Sequence, residues 1–221
     1  TLLYALLTVI FVNILALLLA AVLEQSGILA KGFFRAAFYV PNIISLIIIG
    51  FVWKFIFSRA FESMHDVTGA ALFGWSWIGS PKLAVVSTVL VTVWQSIGFY
   101  MLIYIAGLQS VPEDVMEAAT IDGAGKVRRF FSVVLPLIAP SVTVCTFYSI
   151  ANSLKTFELI LSLTGGGPGS STTSVALDIY NTAFNSNQYG YGSAKSVILF
   201  LMVAVITIVQ VTLSKRKEVE A

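Results

Sequence analysis

Two groups of residues in this chain have types and spacings that could do chemistry. The first is polar side chains set into otherwise apolar runs. Trp94, Gln95 and Tyr100 stand in one run; Ser149, Asn152 and Thr156 stand in another. Lipid tolerates buried polar groups poorly, so such residues are candidates for a solute path. Amide and hydroxyl edges beside aromatic faces suit a solute with hydroxyls and apolar ring faces, as a sugar has. At about 100° per helical residue, Ser149, Asn152 and Thr156 share one face. Lys155 and Glu158 lie three apart and can pair. Serine and asparagine on membrane helices serve equally well as hydrogen bonds between helices, so both readings stand for each position. The second group is a polar, alanine-rich stretch, EAATIDGAGKVRRFFSVVLP, from Glu117 to Pro136. Reaction chemistry has no such support. His65 and Cys145 are single, and no metal-ligand spacing or nucleophile–base grouping is present, so catalytic and metal residues are expected to be none.

The elements that position these residues follow from composition. The chain has 221 residues, 57% hydrophobic and 11% charged. A soluble domain carries roughly 25% charged residues. The deficit, gathered into long apolar blocks, predicts a membrane protein in contact with lipid. The net charge of +2 gives no argument for nucleic acid. Five runs reach the roughly 20 residues that a helix needs to cross a bilayer: about 1–23, 36–57, 83–108, 130–160 and 195–214. Unbroken runs of this length exclude alternating barrel strands. The expected fold class is all-α, a polytopic transmembrane helical bundle forming a single domain over 1–221. No internal repeat is evident.

Basic residues set the expected orientation. One side holds Lys31, Arg35, Lys126, Arg128, Arg129, Lys215, Arg216 and Lys217, which is eight. The other holds Lys54, Arg59, Lys82, Lys155 and Lys195, which is five. The hairpin and the C-terminus are therefore expected in the cytoplasm and Thr1 outside, with a further span preceding it. Trp75, Trp77, Tyr180, Tyr189 and Tyr191 are expected at the outer interface.

The hairpin, about 109–135, reads as two short helices around a glycine. Ser110-Val111-Pro112-Glu113 fits a capping box. A first helix is predicted from about Val111 to Ile121, ending at Asp122-Gly123, where glycine permits a left-handed stop. Ala118 and Ala119 give it a low-relief face. A second helix starts near Ala124, and Pro136 and Pro140 bend the chain into the fourth span. Helices this short are marginal alone in water, so the pair needs something to pack on.

These residues resemble a known family. Glu117-Ala118-Ala119, three residues, Gly123, nine residues, then Val133-x-Leu135-Pro136 is similar to the EAA signature of membrane subunits of bacterial ABC importers. Val133 stands where the usual pattern has isoleucine. Phe34-Arg35-Ala36, Tyr39-x-Pro41, Ala106–Pro112 and Leu163–Pro168 resemble the carbohydrate-uptake branch, with permeases of the maltose and glycerol-phosphate type. The resemblance covers nearly the whole chain and implies the type I importer permease fold in a bacterial cytoplasmic (inner) membrane. The family's first helix is expected to be missing here.

The resemblance further implies that Glu117, Ala118, Ala119, Asp122, Gly123 and Pro136 belong to a coupling hairpin. Its helix would seat in one of two cytoplasmic ATPase subunits, which hold the ATP and magnesium; this chain would hold no cofactor. The other implied partners are a second, different permease subunit and an extracellular or periplasmic solute-binding protein. Gly165–Ser171 is glycine-rich but lacks the lysine of a phosphate-binding loop, and reads as an external turn ending the fourth span. Three functions compete: a permease for a sugar or oligosaccharide; a permease for glycerol 3-phosphate or another polar solute; and an ATP-independent transporter or channel. A phosphate site would want clustered basic residues, and only Lys155 and Lys54 qualify. A self-sufficient transporter would want mid-span charges or inverted repeats, which these spans lack.

Overall fold

The computed structural model describes residues 1–24 and 30–215. Arg216 and Lys217, counted above in the C-terminal basic cluster, lie outside them. Among the described residues the regular structure is entirely helical. The elements are α1 (Leu2–Leu23), α2 (Lys31–Ile43), α3 (Leu46–Phe55) and α4 (Phe61–Thr68), followed by α5 (Pro81–Gln109). A π-helical turn over Ile56–Ala60 joins α3 to α4. Then come α6 (Glu113–Ile121), α7 (Lys126–Arg129), α8 (Leu135–Leu137), α9 (Ala139–Leu154), α10 (Glu158–Leu163), α11 (Val175–Tyr180) and α12 (Tyr189–Lys215).

Among the described residues, three helices are long and apolar enough to cross a membrane: α1, α5 and α12. The other two predicted spans are bent. The run 36–57 is not one helix: α2 and the α3–α4 unit meet at 95°. Pro41 has no N–H to give its own helix, and the chain leaves helical angles at Ile44 (ψ 137°) and Ser45 (ψ 134°). The run 130–160 is broken twice. The segment Lys126–Leu137 meets α9 at 72° across Ile138, between Pro136 and Pro140. The helix then stops at Leu154 rather than near residue 160, so the Gly165–Ser171 turn does not end that span. Instead α10 follows as a separate helix that packs on α3, and the glycine turn follows α10. There Gly165, Gly166 and Gly169 take positive φ.

The main core lies where α1, α5 and α9 meet, with Val12, Ala16, Met101, Tyr104 and Cys145 fully buried. Its centre is polar. Asn13 Nδ2 donates to Ser149 Oγ (2.9 Å), and Tyr104 Oη donates to Asn13 Oδ1 (2.7 Å). One asparagine thus ties three helices, the joining role expected of amides in membranes. Small residues let backbones approach elsewhere. A Cβ at Gly98 would lie 2.1 Å from the Phe38 carbonyl oxygen, so α2 and α5 touch backbone to backbone there. At the far end of this core Glu24 takes Arg35 as an ion pair and accepts from Gln109 Nε2 (3.2 Å), gathering the ends of α1, α2 and α5.

A second core joins α3, α5 and α10 around Ile49, Phe57, Trp77 and Leu163. It corrects one expectation: Trp77 is buried, stacked on Phe57 with centroids 5.5 Å apart, whereas Trp75 is half exposed. The Trp77 indole N–H donates to the Leu72 carbonyl, which satisfies its polar edge inside that core.

Candidate functional site

The break between α2 and α3 leaves carbonyls at the end of α2 without helical partners. Irregular backbone at membrane depth is tolerated only where it is buried in protein or lines a wet cavity. Ile43, Ile44 and Ser45 at the break are exposed, and the flanking Asn42 and Leu46 line a cavity. Gln95 Nε2 on α5 reaches the Asn42 carbonyl (3.4 Å), and beside this contact opens a cavity of about 450 Å³. That lies within the range of about 300–1,000 Å³ usual for small-molecule sites.

The walls come from every element that meets at the break. α1 gives Tyr4 and Thr8, α2 gives Tyr39 and Asn42, and α5 gives Thr92, Gln95, Ser96, Phe99 and Tyr100. From α9 come Tyr148, Ser149, Asn152 and Ser153, from the link after it Lys155, Thr156 and Phe157, and from the start of α10 Glu158. Phe99, Tyr100 and Tyr148 pack as a three-ring cluster with centroids 5.0–6.2 Å apart. Hydroxyls and amides face them. Tyr4 Oη and Thr92 Oγ1 lie 2.7 Å apart, and Thr156 Oγ1 donates to Tyr4 Oη (3.4 Å). Asn152 is exposed toward the cavity. The site therefore offers apolar faces, amides and hydroxyls, with one cation and one carboxylate at Lys155 and Glu158.

Of the six residues read from sequence as a solute path, five line this cavity: Gln95, Tyr100, Ser149, Asn152 and Thr156. Ser149 is also the buried partner of Asn13, so it serves the wall and the helix junction together. Thr156 arrives by a different route from the one predicted. The helix ends at Leu154, so Thr156 shares no helical face with Ser149; the turn after the helix places it. Trp94 does not reach the cavity. One residue before Gln95 on the same helix, it points about 100° away. It lines a separate, almost wholly apolar groove with Phe11, Phe34 and Pro41, and meets Trp53 edge to face at 5.4 Å. Lys155 and Glu158 form no ion pair among the described residues, because the break after Leu154 separates them from a common helix.

Sequence reasoning missed Tyr4, Thr8, Tyr39, Asn13 and Tyr104. Tyr4, Thr8 and Asn13 are the polar residues of an otherwise apolar α1; Tyr4 and Thr8, four apart, share one helix face, and Asn13 lies about 140° round from Thr8. That signal was there to read. The Asn42 carbonyl accepts from Gln95, and the residue also lines the cavity.

The hairpin follows the C-terminal end of α5, whose middle carries the cavity residues. Fourteen residues separate Gln95 from Gln109, about 21 Å of helix. The first short helix starts at Glu113 rather than Val111. Ser110 Oγ donates back to the Gly107 carbonyl (2.7 Å), so no capping box forms. The stop at Gly123 is a Schellman arrangement: Gly123 N donates to Thr120 O (3.1 Å) and Ala124 N to Ala119 O (3.0 Å), with Gly123 at φ +73°. The low-relief face is not as predicted, since Ala119 is buried while Ala118 is exposed. Arg129 clips α7 to α6 by donating to Thr120 Oγ1 (2.6 Å). Glu117 and Thr120 border a shallow depression with Glu113, Met116, Ile121 and Arg129. Asp122 is exposed at the end of α6, and Pro136 lies beyond the hairpin, at the 72° bend. Ile121 and Val127 are 87% and 73% exposed.

A broken helix around a polar cavity, joined by one long helix to an exposed two-helix hairpin, has counterparts among known proteins. A crystal structure of a bacterial ABC transporter involved in the import of the acidic polysaccharide alginate has the same fold. It matches with TM-score 0.83 at 22% identity, over 97% of this chain and 76% of that one. The probable starch degradation products transport system permease protein AmyD of Thermoanaerobacterium thermosulfurigenes is 43% identical over 217 residues, 98% of this chain and 74% of the relative. The multiple sugar-binding transport system permease protein MsmF of Streptococcus mutans is 36% identical over 206 residues, 93% of this chain and 71% of the relative. The family model for the binding-protein-dependent transport system inner membrane component matches residues 12–219, nearly the full length over which cavity and hairpin are built. With that match and these identities, the chain belongs to the family of inner-membrane components of binding-protein-dependent transport systems.

Proposed function

We propose that the chain is the permease subunit of an ATP-driven importer for a neutral sugar or oligosaccharide. The carrying observation is the cavity at the α2–α3 break, where the ring cluster Phe99–Tyr100–Tyr148 faces Gln95, Asn152 and the Tyr4–Thr92 hydroxyl pair. Aromatic faces cover the apolar sides of pyranose rings, and amides and hydroxyls answer their hydroxyl edges. AmyD and MsmF, the relatives named for starch products and sugars, support the same solute class.

The cavity's formal charges are Lys155 and Glu158, which sum to zero. A phosphate or polyanion would meet one cation and one repelling carboxylate, whereas a neutral sugar meets no such cost. This favours a neutral solute over glycerol 3-phosphate.

ATP hydrolysis belongs to a separate cytoplasmic ATPase, docked on the hairpin. Ile121 and Val127 are large apolar side chains left almost fully exposed on a polar hairpin, the mark of a surface that a partner covers. Closure of two ATPase subunits would move α6, and the continuous α5 would carry that displacement to the cavity wall. A solute-binding protein would deliver the sugar on the opposite face, with hairpin and C-terminus cytoplasmic, and a second permease subunit would complete the pathway.

The test is uptake into proteoliposomes by the complete complex with its ATPases and solute-binding protein. Starch-derived oligosaccharides should accumulate only with ATP on the ATPase side, and glycerol 3-phosphate should not compete. Uptake without ATP, or preferential uptake of the phosphate ester, would contradict the reading.

A further inference from the structure

The cavity does not end at its own walls. Phe157, which lines it, packs on Tyr180 with centroids 5.2 Å apart. Tyr180 packs on Phe184 at 5.2 Å, and Phe184 on Tyr189 at 6.1 Å. The four rings lead in steps from the cavity, along α11 and the π turn Asn181–Asn185, to the start of α12. Exposure rises along the way: Tyr180 is 36% exposed, Phe184 and Tyr189 are 59%.

A membrane-interface belt would also present aromatic residues, but the neighbours here are of another kind. Residues 180–190 carry no charge and include four amides: Asn181, Asn185, Asn187 and Gln188. Asn185 Nδ2 donates to Asn181 Oδ1 (2.8 Å), and Tyr189 Oη donates to Asn187 Oδ1 (3.4 Å). Exposed amides beside exposed ring faces repeat the chemistry of the cavity itself. The segment is also held in place. Lys195 Nζ on α12 donates to Asp178 Oδ2 (2.7 Å) and Thr182 Oγ1 (2.9 Å), and a Cβ at Gly192 would come 2.7 Å from the Ala183 Cβ. Rings fixed before a ligand arrives lose little freedom on binding it.

We propose that Phe157, Tyr180, Phe184 and Tyr189 form a stacking track that guides successive rings of an oligosaccharide into the cavity. The track rests on the sugar reading above and deepens it. A disaccharide, once in the cavity, needs the outer rings little. A longer chain occupies cavity and track together, so the outer rings set the preference for chain length.

The experiment compares uptake of maltose and maltoheptaose by the complete reconstituted importer, wild type against the double variant Phe184→Ala with Tyr189→Ala. Both side chains are largely exposed, and recovery of the complex monitors assembly. The expected result is a loss of roughly tenfold in maltoheptaose uptake, with maltose uptake changed by no more than about twofold. Phe184→Trp, which keeps a flat ring, should retain maltoheptaose uptake. Equal losses for both sugars would mark a membrane anchor or a binding-protein contact and overturn the track. So would no loss at all, or a wild type that imports maltose alone. A wild-type importer that takes up neither glucan would overturn the sugar reading as well, and so is distinguishable from failure of the track alone.

Discussion

Gly98→Ala adds one methyl group where α5 crosses α2, at a point with no room for it. An ideal Cβ there would lie 2.1 Å from the Phe38 carbonyl oxygen, 2.5 Å from the Phe38 carbonyl carbon and 2.7 Å from the Tyr39 nitrogen. Ordinary contact begins at 3.4 Å, so α2 must retreat by about 1.3 Å. All three neighbours are backbone atoms, and no rotamer change relieves them. Overpacking of this kind costs about 1–3 kcal/mol. Alanine returns up to about 1 kcal/mol through helix propensity, leaving a net destabilisation of up to about 2 kcal/mol. The retreat also carries Tyr39 and Asn42 away from α5. The Gln95–Asn42 hydrogen bond is already 3.4 Å long and would be lost. A neutral hydrogen bond contributes about 1 kcal/mol, so together with the displaced wall sugar uptake should fall roughly tenfold. Gly32→Ala is the control, since nothing lies within 4 Å of a Cβ there. The assay is thermal unfolding of the purified complex, paired with ATP-driven uptake in proteoliposomes. A Gly98→Ala complex with wild-type melting and wild-type uptake would refute the close crossing and its role in shaping the cavity.

Two further substitutions probe the helix junction and the hairpin. Asn13→Leu removes the amide between Tyr104 and Ser149, leaving two buried hydroxyls without it. A loss of about 1–2 kcal/mol is expected in denaturant unfolding of the complex, and Asn13→Gln should not restore it because the longer side chain misplaces the amide. Gly123→Val puts a β-branched residue at φ +73° where nothing obstructs the side chain. The effect is therefore conformational, about 1–2 kcal/mol at the hairpin stop. Sugar-stimulated ATP hydrolysis should drop while solute-binding-protein docking on the other face, read by co-purification, is kept.

Much of this architecture is legible in the sequence, and the exceptions have physical causes. Apolar runs locate helices because lipid demands them, but hydropathy does not register direction, so the 95° bend is not legible in it, whereas the bend expected at Pro136 and Pro140 is there at 72°. Pro41 and Pro136–Pro140 marked both places; whether a proline kinks a helix or breaks it depends on partners such as Gln95, which only the fold supplies. Polar residues in apolar runs located the cavity from α5 and α9. Trp94 failed because adjacency in sequence is divergence on a helix. Lys155 and Glu158 failed because helical spacing was extended past the end of the helix at Leu154. In the hairpin, Gly123 was readable because a positive φ has a single common residue, whereas Ser110 was not: its hydroxyl chose the carbonyl of Gly107 over a capping amide.

On the proposed function, one chain holds a sugar-passing cavity at the α2–α3 break and, about 20 Å along α5, the contact through which a separate ATPase drives it. Measuring uptake and ATP hydrolysis together in one reconstituted complex tests this most directly, with Asn152→Leu in the cavity and Glu117→Lys on the hairpin. Asn152→Leu should abolish sugar uptake while hydrolysis stimulated by the solute-binding protein continues, and Glu117→Lys should remove both. Unchanged uptake in Asn152→Leu, or uptake and hydrolysis at wild-type rates in Glu117→Lys, would contradict it.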